Sequence, residues 1–276
     1  MTIGIIGLGL MGGSLGIALK SYNPNHQIIG YDHNKTHCKD AIRLNLVDTI
    51  SMTLEGIIEC DTIFLSIPVN SIISTLQELK GVSTDTTIID LGSTKAKIVE
   101  SIPQEIRQNF IAAHPMTGTE KFGPTAAVEN LYRDKVVVLC DLEDSGKYQK
   151  EIALNLFKSI GMKLVFMDAK EHDRHAAFIS HMPHALSFSL ANAVMRQEDP
   201  RSIIALAGGG FRDMSRIAKS SPYMWEDVFK QNKRNLLTAI AYFKDELSSC
   251  QDMIESEDWE ALNGWMKSAN RLHDIL

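Results

Sequence analysis

Four runs of this sequence carry side chains able to do chemistry. The first, His114-Pro115-Met116-Thr117-Gly118-Thr119-Glu120, sets an imidazole beside hydroxyls and a carboxylate. An imidazole that is neutral near pH 7 can take a proton from a reacting hydroxyl; the plain alternative is a loop histidine bonded to a carbonyl. The second is Asp90-Leu91-Gly92-Ser93-Thr94-Lys95, polar where a core pattern would continue apolar. The third is Ser180-His181-Met182-Pro183-His184-Ala185, preceded by His172 and His175. Histidines three apart have the look of a metal site. Pro183 interrupts their helical register, however, and no cysteine or near carboxylate completes a ligand set, so no metal is expected. His181 reads either as a polar contact to a substrate or as a buried, satisfied histidine. The fourth run is Gly208-Gly209-Gly210-Phe211-Arg212-Asp213-Met214-Ser215-Arg216, continuing to Pro222. Arg212 and Arg216, four apart, would share one helix face, and a guanidinium suits bidentate binding of a carboxylate. The competing assignment is a structural ion pair with Asp213, which fits Arg212 better than Arg216.

The elements that must position these residues follow from hydrophobic periodicity. Short, nearly continuous apolar runs at 3–6, 27–31, 62–67, 87–91, 110–113, 135–140 and 163–167 read as strands covered on both faces. Helical patterns lie between them, at 13–21, 72–79, 95–101 and 147–159. This βαβ rhythm predicts an α/β fold with a doubly wound, mainly parallel sheet. In such a sheet the C-terminal strand ends line one ligand crevice, so the Asp90 and His114 runs should open on the same edge. After Asp168 the pattern becomes helical, with breaks near Pro200, Gly208–Gly210 and Pro222, and room for long helices over 224–249 and 258–276. Two domains are therefore expected: 1–168, and an all-helical 169–276 whose apolar helix faces would pair with a second copy.

A cofactor is written into the first strand–helix turn. Ile5-Ile6-Gly7-Leu8-Gly9-Leu10-Met11-Gly12 follows a predicted strand and opens a predicted helix. Gly7 permits the tight turn, Gly9 lets a diphosphate approach the backbone, and Gly12 allows close helix–strand packing. The helix N-terminus then holds the anion. This is a Rossmann-type arrangement. Asp32 ends the second strand at the spacing that reads ribose hydroxyls, and no Arg follows to welcome a 2′-phosphate, which favours NAD over NADP. Asp32 could also cap the helix starting near Lys35. Leu65-Ser66-Ile67-Pro68 ends a third strand on the same edge, contributing Ser66, Ile67 and Pro68 to the cofactor crevice, with Pro68 suited to the first position of a helix.

Composition excludes several classes. The formal net charge of −6 comes without a basic tract, which argues against nucleic-acid binding. Recognition of an anion must then rest on a few placed cations. The four cysteines, Cys38, Cys60, Cys140 and Cys250, include no CxxC pair and read as buried thiols of a reducing compartment. The first residues enter a strand at once, unlike a signal peptide, and no apolar stretch approaches the roughly 20 residues of a membrane span. A cytoplasmic protein with no membrane contact is expected.

Taken in order, GLGLMGGSLG (7–16), DLGSTK (90–95), HPMTGTE (114–120), SHMPHA (180–185) and GGGFRDMSRIAKSSP (208–222) resemble the monofunctional prephenate/arogenate dehydrogenases, over essentially the whole chain. Neither the chorismate mutase nor the ACT domain fused to some relatives is expected. The resemblance implies an NAD-dependent oxidative decarboxylation in tyrosine biosynthesis, by a homodimer joined through the helical domain. It implies that His114 is the base and that Ser93 is its hydrogen-bonding partner, orienting the substrate hydroxyl. His181 would contact substrate or cofactor from across the cleft, and Arg216 would bind the ring carboxylate. Thr119 and Glu120 would line the mouth, with Glu120 as a gate, while Asp213 would hold Arg212 and Arg216 in place. Loss of hydride from C4 and departure of CO₂ make the ring aromatic, so neither a metal nor a covalent intermediate is required. Two rivals stand beside this reading. A 3-hydroxyacid dehydrogenase of the 6-phosphogluconate dehydrogenase superfamily shares the glycine-rich start but needs a catalytic lysine in its second domain. A non-catalytic NAD sensor would have no use for both His114 and Arg216.

Overall fold

The computed structural model describes residues 1–197 and 199–275. Its strands β1 (Thr2–Ile6), β2 (Gln27–Tyr31), β3 (Thr49–Ile50), β4 (Thr62–Leu65), β5 (Thr87–Asp90), β6 (Phe110–Pro115), β7 (Val136–Cys140) and β8 (Lys163–Met167) form one sheet in the order β3-β2-β1-β4-β5-β6-β7-β8. All neighbours run parallel except β6 and β7, which pair antiparallel. The strand order reverses between β1 and β4, and the C-terminal ends of β1, β2, β4, β5 and β6 share one edge. β3 is too short to show a period and has no counterpart among the apolar runs. β6 extends through His114 and Pro115, two residues beyond the expected run, because both continue the ladder with Val138 and Val137.

Helices α1 (Leu10–Tyr22), α2 (Lys35–Arg43), α3 (Glu55–Ile58), α4 (Val69–Glu78), α5 (Ala96–Glu100) and α6 (Lys147–Ser159) connect the strands. Two apolar layers result. One packs α1 and α6 on the sheet through Leu15, Leu19, Phe64, Ile111, Leu156 and Phe157. The other packs α4 and α5 through Ile63, Ile72, Leu76, Ile88 and Ile98. The near-continuous apolar strands are thus buried on both faces.

Helices α7 (Ala169–Ala176), α8 (Met182–Met195), α9 (Pro200–Ala205), α10 (Gly209–Ser215) and α11 (Pro222–Gln231) belong with the sheet to one unit, Met1–Asn232. A π-helical turn, Ala177–His181, joins α7 to α8, so the chain stays helical through Pro183 while the register of the clustered histidines shifts at that turn. The second unit, Lys233–Leu276, is a hairpin of α12 (Lys233–Glu255) and α13 (Trp259–Asn270), in which the Trp265 indole donates to Glu246 at 2.8 Å. A single helix over 224–249 is not what forms: it breaks at Asn232, whose buried amide is bonded elsewhere. The helix expected over 258–276 ends earlier, and Glu198 and Leu276 lie outside the described residues.

α1 sits so close to β1 that a Cβ on Gly12 would lie 1.9 Å from the Gly7 carbonyl oxygen, and one on Gly16 2.1 Å from that of Leu46. Backbone cannot yield as a flexible side chain can. Gly12→Ala should therefore destabilise the fold by about 1–3 kcal/mol or more, seen as a lowered urea midpoint. An unchanged midpoint would show that the helix can slide.

Candidate active site

The strand edge carries the nucleotide loop. Gly7 has φ +93, and a Cβ there would meet the Ser66 carbonyl at 2.3 Å, so only glycine fits. Gly9 caps α1 without any side-chain bond, and a Cβ on it would meet nothing within 4 Å. Open space before the N–H groups of a 13-residue helix is what a diphosphate requires. The chain at Gly7–Gly12 thus fits a dinucleotide. Leu8 and Leu10 turn their side chains into the core, leaving backbone as their contribution. The Leu8 N–H is already committed to Asp32 Oδ2 at 2.9 Å. Asp32 does not cap α2: Asn34 does, accepting from Thr36 and His37, because its position directly precedes the helix. Asp32 instead pins the glycine loop and accepts the Asn34 N–H on Oδ1 at 2.8 Å, with acceptor capacity left for a ribose hydroxyl. Ser66 donates its N–H to Ile6, and Pro68 stands at the N-cap of α4, one place before the first helical position expected for it.

Two strands along, polar groups go inside. Asp90 and Lys95 are fully buried and in direct contact. Lys95 Nζ also donates to the Ala113 carbonyl at 2.8 Å, and Asp90 accepts from the N–H groups of Ala113 (3.0 Å) and Gly92 (3.1 Å). His114 follows directly, and its Nδ1 lies 2.8 Å from His172 Nε2. His172 Nδ1 in turn lies 2.9 Å from Asp173 Oδ1. The Asp173 carboxylate caps α5 by accepting the N–H groups of Lys95 (2.7 Å) and Ala96 (3.0 Å). Burial, then the neighbouring His172, Lys95 and His181, hold His114 well below the usual imidazole range, so it is neutral at pH 7. Among the described residues no hydrogen bond joins Ser93 to His114: Nδ1 is taken by His172, and Ser93 sits half-buried in the loop after β5.

The four clustered histidines diverge, each to its own partner. His172 joins His114, while His175 faces Glu171 at 3.3 Å. His184 donates Nδ1–H to the Ser180 carbonyl and stacks on Trp225, ring centroids 3.5 Å apart. His181, fully buried by the π-turn, accepts the Asn232 amide on Nδ1 at 3.2 Å, and its Nε2 has no partner among the described residues. Burial pushes His181 down to about 4, so it is a neutral donor with a free N–H. Asn232 also donates to the Asp173 carbonyl at 2.6 Å.

Arg216 does not extend the helix of Arg212. α10 ends at Ser215, and Arg216 opens a 3-10 turn that directs its guanidinium to Glu120 at 3.2 Å. Arg212 Nε donates to the Ala207 carbonyl. Asp213 is exposed and forms no ion pair with either arginine among the described residues: Arg212 is bonded to the Ala207 carbonyl and Arg216 to Glu120. Glu120 thus pairs with the arginine expected to bind substrate, and Thr119, exposed in the same loop, accepts the Lys121 N–H.

The sequence singles out His172 only as one of four clustered histidines, and Asp173 not at all. A signal was present: Ala169, His172, Asp173 and Ala176 are all buried and recur at i, i+3, i+4, i+7, so the core stripe of α7 carries two polar residues. Lys95 and Asn232 gave no comparable sign.

A glycine loop at the switch point of a doubly wound sheet, with a neutral buried imidazole three strands away, defines a dinucleotide-dependent oxidoreductase. Two family models match: "Prephenate dehydrogenase, nucleotide-binding domain" over residues 15–166 and "Prephenate dehydrogenase, dimerization domain" over 168–268. The prephenate dehydrogenase of Bacillus subtilis is 34% identical, over 100% of this chain and 76% of its own. The A. aeolicus prephenate dehydrogenase, solved with hydroxyphenyl propionate and NAD+, has a TM-score of 0.93 at 31% identity, covering 100% of this chain and 98% of that one. Synechocystis arogenate dehydrogenase has a TM-score of 0.81 at 29% identity, covering 100% and 99%. The chain belongs to the prephenate dehydrogenase family. That membership sets the 3-hydroxyacid dehydrogenase alternative aside.

The depressed histidines make stability depend on pH. In the unfolded chain they take up protons near pH 6.5, whereas folded His181 does so only near 4 and folded His114 well below 6.5. The unfolded state then binds more protons, so stability is full above about pH 7 and falls as pH drops from about 6.5, by up to about 1.4 kcal/mol per histidine per pH unit. Urea midpoints measured from pH 7.5 to 5 should fall accordingly, and less steeply in His181→Phe. A flat profile contradicts the buried, neutral assignment.

Proposed function

We propose that this chain carries out the NAD-dependent oxidative decarboxylation of prephenate to 4-hydroxyphenylpyruvate, or of arogenate to tyrosine. The single observation that carries the reading is the neutral, buried His114 at the end of β6, on the edge that bears the nucleotide loop. Gly7–Gly12, Asp32 and Ser66–Pro68 would hold NAD. When bound, NAD supplies the acceptor for the hydride lost from C4. The protein must then hold an anionic substrate, orient its C4 hydroxyl and accept the hydroxyl proton. His114 Nε2 is the proton acceptor, since Nδ1 is engaged by His172. Ser93 and His181 position the hydroxyl and ring from two sides; the unpartnered Nε2 of His181 supports that role. Arg216 binds the ring carboxylate. Its bond to Glu120 keeps the guanidinium in place until a substrate carboxylate replaces that of Glu120, which with Thr119 borders the entrance. Arg212 adds positive potential without a direct bond, and Asp213 remains peripheral.

Residues 1–168 serve as the cofactor domain and 169–276 as the substrate-binding and dimerisation domain of a homodimer. The match of 168–268 to a dimerization domain supports this, as do the exposed Leu247, Ile254, Trp259 and Met266 of the α12–α13 hairpin. Among the described residues no helix is long and apolar enough to cross a membrane.

His114→Ala should lower turnover about 10²–10⁴-fold with substrate KM retained. A variant with near-full kcat removes His114 from the mechanism. Arg216→Ala should forfeit a charge-assisted bond of about 1.5–3 kcal/mol, read as a raised substrate KM with kcat largely kept. If only thermal stability changes, Arg216 is structural.

A further inference from the structure

Behind His114 a line of buried groups runs inward to a carboxylate. His114 Nδ1 faces His172 Nε2 at 2.8 Å, the rings meeting edge-on, and His172 Nδ1 faces Asp173 Oδ1 at 2.9 Å. The carboxylate is fixed by two backbone N–H groups at the start of α5. Proton positions along this line are constrained. An ionised carboxylate only accepts, so His172 carries its proton on Nδ1. Its Nε2 is then an acceptor, and His114 must donate from Nδ1. That leaves the lone pair of His114 on Nε2, the nitrogen not engaged with His172.

The charged groups around His114 are unequal. Lys95 lies in the wall behind it, with Asp90 in contact, and His181 is a further neighbour; each of the cation and histidine neighbours opposes a positive charge on His114. His172 instead touches a carboxylate.

We propose that His172 and Asp173 are positioning residues that set the tautomer of His114 and take inward the positive charge created when it acts. The inference rests on the reading of His114 as the base. As the substrate O–H bond breaks, its proton bonds to His114 Nε2 while the Nδ1 proton of His114 passes to His172 Nε2. His114 stays neutral, His172 becomes an imidazolium against Asp173, and no electrons are transferred in this step. The charge thus comes to rest one residue deeper, away from the crevice.

Two variants separate orientation from transfer. His172→Gln keeps an acceptor for His114 but cannot carry its proton; His172→Leu keeps neither. Imidazole nitrogen NMR on ¹⁵N-histidine-labelled protein without substrate should show His114 as the Nδ1–H tautomer in the unmodified chain and a mixed population in His172→Leu. Turnover should fall about 10²-fold or more in both variants, with substrate KM and NAD affinity within about twofold. Should the Leu variant fail to fold, the Gln variant and Asp173→Asn, which retains an acceptor for α5, carry the same test. Full turnover in His172→Gln overturns the inward transfer, and an Nε2–H tautomer of His114 in the unmodified chain overturns the whole line. The NMR result stands whether or not either substrate reacts, so failure of the proposed reaction and failure of this inference are told apart.

Discussion

A lysine and an aspartate that solvent never reaches meet between the ends of β5 and β6, and much of the site hangs on that contact. Asp90 closes β5 onto the Ala113 and Gly92 amides, and Lys95 returns to the Ala113 carbonyl, so the backbone just before His114 is gripped from both sides. Removing either partner would strand a buried charge, at a cost of about 3–5 kcal/mol. Burial pushes the Asp90 carboxyl upward, while Lys95 and the two amides pull it back. The backbone N–H of Lys95 also reaches Asp173, which ties the α5 start to α7. One ion pair therefore sets where His114 stands and helps set its charge.

Polar groups buried this deeply are costly unless each finds a partner. Here they partner in series. Asp173 serves α5, His172 and, through its carbonyl, Asn232; Asn232 serves His181. The helix break at Asn232 and the π-turn before α8 are departures from regular geometry that deliver side chains into this network. Irregularities of this kind cluster at functional sites. The outcome is a pair of histidines, His114 and His181, that stay neutral at pH 7 without any ligand to hold them so.

The sheet was legible because strands covered on both faces need unbroken apolar runs, and the glycine loop because backbone contact leaves no choice at Gly7 and Gly12. His114 and Ser93 stood out in polar runs where a core pattern would continue apolar, and Arg216 by its spacing from Arg212. What the sequence hid depends on contacts between distant segments. Nothing near His172 announces His114, 58 residues away. Nothing near Arg216 announces Glu120, nor does the 208–222 run foretell that the helix stops at Ser215. The expectation of one helix over 224–249 failed because tertiary bonds of Asn232 outweigh local helical propensity. Asp32 was read for a ribose and for a cap; its bond to the Leu8 amide, 24 residues back, was not foreseeable from spacing.

Together these parts are proposed to oxidise and decarboxylate a cyclohexadiene carrying a ring carboxylate and a C4 hydroxyl. The most direct measurement is NADH absorbance on mixing the unmodified protein with NAD⁺ and either prephenate or arogenate. NADH should form with at least one of them, the ratio of kcat/KM values identifying the preferred side chain. A folded protein that binds NAD⁺ yet yields no NADH with either would contradict it.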